Sequence, residues 1–186
     1  MNNTIFKKKS LPELNRIDPE SYKKANKLPL VIVLDNIRSM SNIGSVFRTS
    51  DAFRVEAVYL CGICSTPPHK EIHKTALGAT ESVTWQYFDN TLDAIADLKQ
   101  KGYKIVSVEQ THNSVPLQAF TPQEDEKIAL ILGNEVKGVE QSAINASDLC
   151  VEIPQYGTKH SLNIAVTTGI VIWHVFLSMQ AFKTMR

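Results

Sequence analysis

Short apolar runs alternate with longer amphipathic segments along most of the chain. Residues 30–34 read LVIVL and residues 128–132 read IALIL, and unbroken runs rich in β-branched residues are typical of strands covered on both faces. Similar runs predict further strands at 56–60, 83–88, 103–108 and 149–153. Helical periodicity between them predicts helices at 43–53, 71–77, 91–101 and 139–146. This alternation predicts an α/β fold, with a mostly parallel sheet and helices on both faces.

The two ends of the chain follow different patterns. Residues 10–27 are polar and predict a helix, because Asp18-Pro19-Glu20 combines an N-cap carboxylate with a proline at the first helical position. Residues 161–182 predict a long helix that is apolar around most of its circumference. Such a helix is buried by its own core or by a partner, and in a chain this small we favour a homodimer.

The distribution of charge is more informative than its total. The chain has 186 residues and a net charge of +1, which fits one domain, assigned to residues 30–186, and gives no sign of a polyanionic partner. Residues 1–29, however, contain seven basic and three acidic residues, or +4, and the remaining residues carry −3. We therefore interpret residues 1–29 as a separate basic extension with helical character.

Several classes of protein are disfavoured by composition. Three cysteines in 186 residues are too few for a disulfide framework and indicate a reducing compartment. The N-terminal sequence MNNTIFKKKS has no apolar stretch after its lysines, so it does not resemble a secretory signal. The longest apolar run, residues 164–177, is too short and too interrupted to cross a bilayer. We therefore expect a cytoplasmic protein without a membrane segment.

The spacing of two cysteines and two histidines gives only weak support for a metal site. Cys61, Cys64, His69 and His73 resemble metal ligands, but a zinc finger needs about a dozen residues between its second cysteine and first histidine. We expect no metal and a buried free thiol at Cys61. The aromatic side chains of residues 83–88 are interpreted as strand core rather than as a surface for stacking RNA bases.

Three polar, glycine-containing segments follow predicted strands, where ligands bind in sheets of this kind. They span residues 35–48, 133–138 and 153–163. Their notable side chains are Asn42, Arg48, Glu135, Ser161 and Asn163. Taken singly, each segment also has a plain structural explanation: a capped helix with a surface arginine, a strand-to-helix turn, or a capped helix start. None is a Walker loop or a G-x-G-x-x-G fingerprint, which disfavours a dinucleotide enzyme.

Together the three segments carry a resemblance that none carries alone. The patterns N-x-G-x₃-R, L-G-x-E-x₂-G and I-P-x₂-G-x₃-S-L-N follow in this order, and the chain resembles the SpoU/TrmH family of RNA ribose 2′-O-methyltransferases over about residues 30–180. The stretch KTALGA at residues 74–79 resembles a further loop of that family. The resemblance implies a deeply knotted α/β fold, S-adenosylmethionine as the cofactor, no metal, and a homodimer with its site near the subunit interface.

The resemblance also implies roles for individual residues. It places Gly133, Ile153, Leu162 and the strand end at Gln110-Thr111 around the cofactor. It assigns catalysis to Arg48, surrounded by Asn42, Glu135, Ser161 and Asn163. Because a guanidinium is a poor proton acceptor, an electrostatic clamp on the ribose and its phosphate is easier to defend for Arg48 than a general base.

The partner implied by the resemblance is RNA. Candidate contacts are Arg38, Arg54, Lys7, Lys8 and Lys9. The chain has no room for a large additional RNA-binding domain, so we favour transfer RNA over ribosomal RNA. Two alternatives stay open: a catalytically silent RNA-binding relative, and an unrelated α/β nucleotide-binding protein.

Overall fold

The computed structural model describes residues 6–183, apart from the side chain of Phe182. The strands are β1 (Leu28–Asp35), β2 (Val55–Cys61), β3 (Thr84–Phe88), β4 (Lys104–Val108), β5 (Val115–Pro116), β6 (Ile128–Leu132) and β7 (Leu149–Glu152). The helices are α1 (Pro19–Lys24), α2 (Met40–Ala52), α3 (Lys70–Ala76), α4 (Ala79–Ser82), α5 (Thr91–Gln100), α6 (Gln141–Ala146) and α7 (Ile164–Ser178). Single 3₁₀ turns span Pro12–Leu14, Leu117–Ala119 and Ala181–Lys183.

The strands form one parallel sheet in the order β3-β2-β1-β6-β4-β7-β5. The order reverses between β1 and β6, which lie side by side although residues 36–127 separate them in the chain. Such a reversal leaves a crevice at the carboxyl ends of the two strands, where ligands bind in open α/β sheets. The predicted α/β fold with a parallel sheet is confirmed.

Both faces of the sheet are covered, and the period-2 alternation of each strand divides the core in two. In β1, Leu30, Ile32 and Leu34 face the cluster that contains residues of α2 and α7. Val31 and Val33 face the opposite cluster, which contains residues of α5 and α6. Burial on both sides explains why the central strands are continuous apolar runs rather than alternating ones.

The N-terminal segment differs from its prediction as one basic helix. Only the turn Pro12–Leu14 and α1 are helical, and Asn15 ends the turn in the left-handed region at φ 49°. Asp18 is extended because a residue before proline avoids the helical region, and its carboxylate caps α1 by accepting from Ser21 N at 2.9 Å. The predicted N-cap at Asp18 is therefore confirmed, whereas the continuous helix over residues 10–27 is wrong.

The segment also packs on the sheet. Tyr22 is buried in the same core cluster as β1, and β1 itself begins at Leu28, inside the predicted extension. Residues 1–5 of that extension, and residues 184–186 of the predicted domain, lie outside the described residues.

The C-terminal helix is shorter than predicted. It spans Ile164–Ser178 rather than residues 161–182, because Asn163 is its N-cap and Ser161 precedes it in the loop. Asn163 Oδ1 accepts from Ala165 N at 2.9 Å and so satisfies an N–H of the first turn. Within residues 6–183 no helix is both long and apolar enough to span a membrane.

Candidate functional site

The carboxyl ends of β1 and β6 bring two of the predicted loops together. The carboxylate of Glu135, just beyond β6, accepts hydrogen bonds from Arg38 N and Ser39 N, each at 3.2 Å. It also accepts from Asn42 Nδ2 at 3.3 Å. Ser39 is the N-cap of α2, so Glu135 holds the loop that leads into this helix. The first and second polar segments therefore form one unit.

The third loop joins the same cluster through Asn163. Its Nδ2 donates to Asn42 Oδ1 at 3.3 Å, while its oxygen caps α7. Ser161 lies two residues earlier and lines the adjacent cavity. Four of the five residues predicted as catalytic, namely Asn42, Glu135, Ser161 and Asn163, are thus gathered at one edge of the sheet, although up to 121 residues separate hydrogen-bonded partners.

The hydrogen bonds favour the ionised form of Glu135. Its partial burial would raise the carboxyl pKa, but hydrogen bonds from its own N–H, from Arg38 N, from Ser39 N and from the Asn42 amide outweigh that effect and lower the pKa below its ordinary value. Glu135 is therefore an anion at neutral pH.

A cavity of about 270 Å³ opens beside this cluster. The carboxyl ends of β4, β6 and β7 and the start of α7 form its walls, and it is lined by the predicted cofactor residues Gly133, Ile153 and Leu162. Thr111 does not line it; this residue lines a larger neighbouring groove that shares Glu109, Glu135 and Ser161 with the cavity.

Gln110 lines the cavity, as the resemblance implies for the strand end at Gln110-Thr111. Glu109 and Gln155 line it as well and were not predicted as site residues. Glu109 Oε2 accepts from Val139 N at 3.0 Å, and Gln110 Nε2 donates to His160 O at 2.8 Å. These contacts tie the end of β4 to the second and third loops. The polar residues that follow β4 in the sequence are the signal that indicates this wall of the cavity.

The glycines of the second loop allow close packing within the protein. Asn134 and Gly138 form an isolated antiparallel bridge that folds the loop back on itself. A Cβ at Gly133 would lie 2.0 Å from the backbone of Gly138 and Val139, and one at Gly138 would lie 2.3 Å from Glu109 Oε2. Close packing within the protein therefore accounts for both glycines.

A buried polar network supports the cluster from behind, and the sequence analysis did not identify it. The buried carboxylate of Asp35 accepts from Thr91 Oγ1 at 2.6 Å and from Glu140 N at 2.8 Å. Asn36 donates to both Asp35 and Glu140, and its carbonyl accepts from Asn134 Nδ2 at 2.6 Å. The network therefore fixes the Glu135 loop against the end of β1.

Arg48 is placed away from the other predicted catalytic residues. It is exposed on α2, six residues after Asn42, and lines a separate groove with Arg54 rather than the cavity. Arg38 is exposed next to the cluster, to which its backbone N–H contributes. Lys7, Lys8 and Lys9 are also exposed.

The two cysteines considered as metal ligands are structural. Cys61 and Cys64 are buried, and burial raises the pKa of their thiols to about 12 and about 11. Cys64 Sγ accepts from Ile37 N at 3.1 Å and donates to Leu34 O at 3.3 Å. No group of three or more His, Cys, Asp or Glu side chains suited to a metal ion occurs in the part of the chain that the structure describes.

The aromatic residues of β3 are only partly core. Trp85 packs against one core cluster and Phe88 against the other, as expected for strand core. Tyr87 is 42% exposed on this edge strand, and its hydroxyl donates to Gly62 O at 2.9 Å.

α7 keeps an apolar face in contact with solvent. Val166, Ile170, Trp173 and Leu177 are between 38% and 53% exposed, and their spacing places them on one stripe. The stripe begins next to Leu162, at the mouth of the cavity. A contiguous exposed apolar stripe of this kind marks an interaction surface.

The chain is similar to known RNA methyltransferases. A profile described as the SpoU rRNA Methylase family matches residues 29–173. An uncharacterized tRNA/rRNA methyltransferase of Borreliella burgdorferi is 32% identical over 159 residues, which are 84% of this chain and 67% of the relative. The 23S rRNA (guanosine-2′-O-)-methyltransferase RlmB of Neisseria meningitidis is 31% identical over 144 residues, 77% of this chain and 56% of the relative.

Solved structures agree. The crystal structure of the A. aeolicus TrmH/SpoU tRNA modifying enzyme matches with a TM-score of 0.77 and 25% identity, over 90% of this chain and 83% of that one. An AdoMet-bound rRNA methyltransferase from Sinorhizobium meliloti shares the fold with a TM-score of 0.75 at 24% identity, over 86% of this chain and 59% of that one. The chain spans about half to two thirds of the length of the curated relatives named above.

Proposed function

Because the chain belongs to the SpoU rRNA methylase family, we propose that it transfers the methyl group of S-adenosylmethionine to a ribose 2′-hydroxyl of RNA. The observation that carries this proposal is that Asn42, Glu135 and Asn163 meet at the mouth of one cavity. The hydrogen bonds that join them connect residues 93 and 121 positions apart in the chain. The same edge of the sheet presents Ser161, so polar groups for a ribose and a cavity for a methyl donor lie side by side.

The chemistry of the cavity suits this cofactor. Its ionisable lining groups among residues 6–183 are the carboxylates Glu109, Glu135 and Glu152, and no lysine or arginine of this range lines it. A wall with negative charge favours a cationic sulfonium. Apolar side chains such as Ile153 and Leu162 offer surfaces for an adenine ring. The volume of about 270 Å³ lies just below the usual range of about 300–1,000 Å³ for ligand pockets, and the neighbouring groove extends the space.

The residues of the cluster hold and polarise the attacking hydroxyl. When bound, S-adenosylmethionine would supply a methyl group that its sulfonium already activates. The ribose oxygen would accept this group as the C–S bond breaks, with S-adenosylhomocysteine as the leaving group and the hydroxyl proton passing to a carboxylate or to water. Glu135 is the anion at the site, while Asn42 and Asn163 fix its surroundings, so the chain contributes mainly positioning.

We assign Arg48 to the same reaction as a clamp. A guanidinium carries a lasting positive charge and is a poor proton acceptor, so it stabilises a developing alkoxide or holds the adjacent phosphate. The resemblance of N-x-G-x₃-R to the family pattern supports this role. In a single chain Arg48 lies outside the cavity.

The apolar stripe of α7 supports a homodimer. Burial of Ile170, Trp173 and Leu177 against a second copy would remove from water an apolar surface that neighbours the cavity. The site would then lie near the subunit interface. A deep knot and a cytoplasmic location are further parts of this proposal, and they rest on the family resemblance and on composition.

We favour transfer RNA, although the similar proteins include a 23S rRNA methyltransferase as well as a tRNA modifying enzyme. Arg38, Arg54 and the lysines at positions 7–9 are proposed RNA contacts because they are exposed or line an open groove.

The proposal is tested by incubating the protein with tritiated S-adenosylmethionine and unmodified transfer or ribosomal RNA. We expect label in RNA and tight binding of S-adenosylhomocysteine by calorimetry. Binding of the cofactor product without transfer to either RNA would instead indicate a catalytically silent relative.

A further inference from the structure

The carboxylate of Glu109 holds two backbone segments together at the wall of the cavity. Glu109 directly follows β4, and its N–H donates to Val151 O at 2.9 Å, so its backbone continues the pairing of β4 with β7. Its Oε1 accepts from Gln110 N at 2.8 Å, and its Oε2 accepts from Val139 N at 3.0 Å. The side chain therefore joins the end of β4 to a residue 30 positions away, just after the second loop.

The second loop, residues 133–138, is closed on itself. Asn134 and Gly138 exchange two backbone hydrogen bonds, each of 2.9 Å. The loop carries Glu135, which lines the cavity and accepts from the loop before α2. Because the two ends of the loop are bridged, a shift of Gly138 moves Glu135 as well.

Glu109 packs directly against this loop. Gly138 lies in the left-handed region at φ 71°, and a Cβ there would be 2.3 Å from Glu109 Oε2. The carboxylate therefore occupies the space that a side chain at position 138 would need. Among residues 6–183 Glu109 forms no ion pair, so its charge is directed at backbone N–H groups.

Glu152 provides a comparison within the same cavity. It lies on β7, is half-buried like Glu109, and lines both the cavity and the neighbouring groove, as Glu109 does. Its carboxylate, however, accepts no hydrogen bond described for residues 6–183. The two carboxylates bring equal charge to one cavity, and of the two it is Glu109 that is tied to the second loop. An effect of charge can therefore be separated from an effect of position.

We propose that Glu109 is a positioning residue for the methyl donor: it holds the second loop against the end of β4 and so fixes the wall on which the cofactor rests. This inference rests on the proposed function for the identity of the ligand. A hydrogen bond from a backbone N–H to a carboxylate is charge-assisted and strong. A wall that is fixed before binding loses less conformational entropy when the ligand arrives. The charge of Glu109 thus acts on the loop rather than on the ligand.

The test measures binding of S-adenosylhomocysteine by calorimetry in three variants. Glu109→Asp keeps the charge but is one methylene shorter, so it reaches at most one of the two N–H groups. Glu109→Gln keeps the length but has one acceptor oxygen. Both should bind S-adenosylhomocysteine about tenfold more weakly than the wild type. Glu152→Gln removes a charge from the same cavity without removing a hydrogen bond, and its loss of affinity should be less than about threefold.

Hydrogen exchange followed by mass spectrometry separates positioning from general stability. The amides of residues 133–139 should exchange about tenfold faster in both Glu109 variants, whereas the amides of β1 and β2 should keep their wild-type rates. Glu152→Gln should keep wild-type rates in all of these segments, because its carboxylate does not hold the second loop.

Several results would overturn the inference. A Glu109 variant that binds S-adenosylhomocysteine like the wild type would do so, and so would a Glu152→Gln variant that loses as much affinity as Glu109→Gln. Equal acceleration of exchange in β1 and in the second loop, or failure of both Glu109 variants to fold, would also overturn it. In those cases the carboxylate would support the fold rather than the geometry of the site.

These outcomes are separable from failure of the proposed function. A wild-type protein that binds neither S-adenosylmethionine nor S-adenosylhomocysteine would remove the proposed function, whereas hydrogen exchange would still show whether Glu109 holds the second loop. A wild-type protein that binds S-adenosylhomocysteine tightly, together with unaffected Glu109 variants, would remove only the positioning role.

Discussion

Replacement of Glu135 by glutamine tests whether this carboxylate assembles the site. The wild-type side chain accepts from Arg38 N, Ser39 N and Asn42 Nδ2. A glutamine retains one acceptor oxygen and turns an NH₂ group toward at least one of these donors. Hydrogen bonds to a charged group contribute about 1.5–3 kcal/mol. Since these bonds are long and the carboxylate is exposed, we expect a loss of about 1–2 kcal/mol in total.

The expected changes are measurable in two assays. A loss of this size lowers the melting temperature of a chain of this length by about 2–8 °C. Methyl transfer should fall by about 100-fold, because Asn42 and the loop before α2 lose their fixed position. Glu124→Gln is the matched control, since Glu124 is exposed on a loop and makes no hydrogen bond described for residues 6–183.

The pH dependence of stability provides a second test of Glu135, because the direction of its pKa shift predicts where its contribution is lost. Hydrogen bonding lowers the pKa of Glu135 in the folded protein. Its stabilising contribution is therefore complete above the unfolded value of about 4.3 and is lost as the pH falls through the lower folded pKa. The difference in melting temperature between the wild type and Glu135→Gln should be constant near neutral pH and should disappear at acidic pH. A variant as stable and as active as Glu124→Gln would refute the reasoning.

Three further predictions concern other parts of the account. Arg48→Ala should abolish methyl transfer to RNA and leave S-adenosylhomocysteine affinity within about twofold by calorimetry, because Arg48 does not line the cavity; wild-type transfer rates would end its assignment. Gly133→Ala should destabilise the fold by about 1–3 kcal/mol in chemical denaturation, since its Cβ meets backbone at 2.0 Å, whereas Gly157→Ala, with no atom within 4 Å, should be neutral. Leu177→Asp should produce monomers in analytical ultracentrifugation, whereas Leu92→Asp, at an equally exposed position on α5, should not. Dimers in both variants would exclude the apolar stripe of α7 as the dimer interface.

The elements of the sheet were predictable because their signals are local. β6 was predicted at residues 128–132 and is observed at Ile128–Leu132, and α5 differs from its prediction by one residue. A strand covered on both faces must be apolar at every position, so its limits are visible in the sequence. β5, a two-residue edge strand, and α4, a single turn, carry no such signal and were not predicted.

The site was predictable as three loops but not as one network. Loops after parallel strands meet at one edge of the sheet, which is why Asn42, Glu135 and Asn163 could be expected together. The partners of Asp35 and Asn36 lie up to 105 residues away, and no local pattern connects them. Likewise the docking of Tyr22 in the core cluster depends on tertiary packing, which the polar pattern of the N-terminal segment did not indicate.

The position of the transferred methyl group tests the central claim most directly. A 2′-O-methyl group removes the nucleophile of alkaline RNA cleavage, so a methylated ribose leaves an alkali-resistant dinucleotide that carries the tritium label. We predict that label transferred by the wild-type protein is recovered in such dinucleotides and is absent with Arg48→Ala. Label recovered in alkali-released mononucleotides would show methylation of a base and would contradict the account.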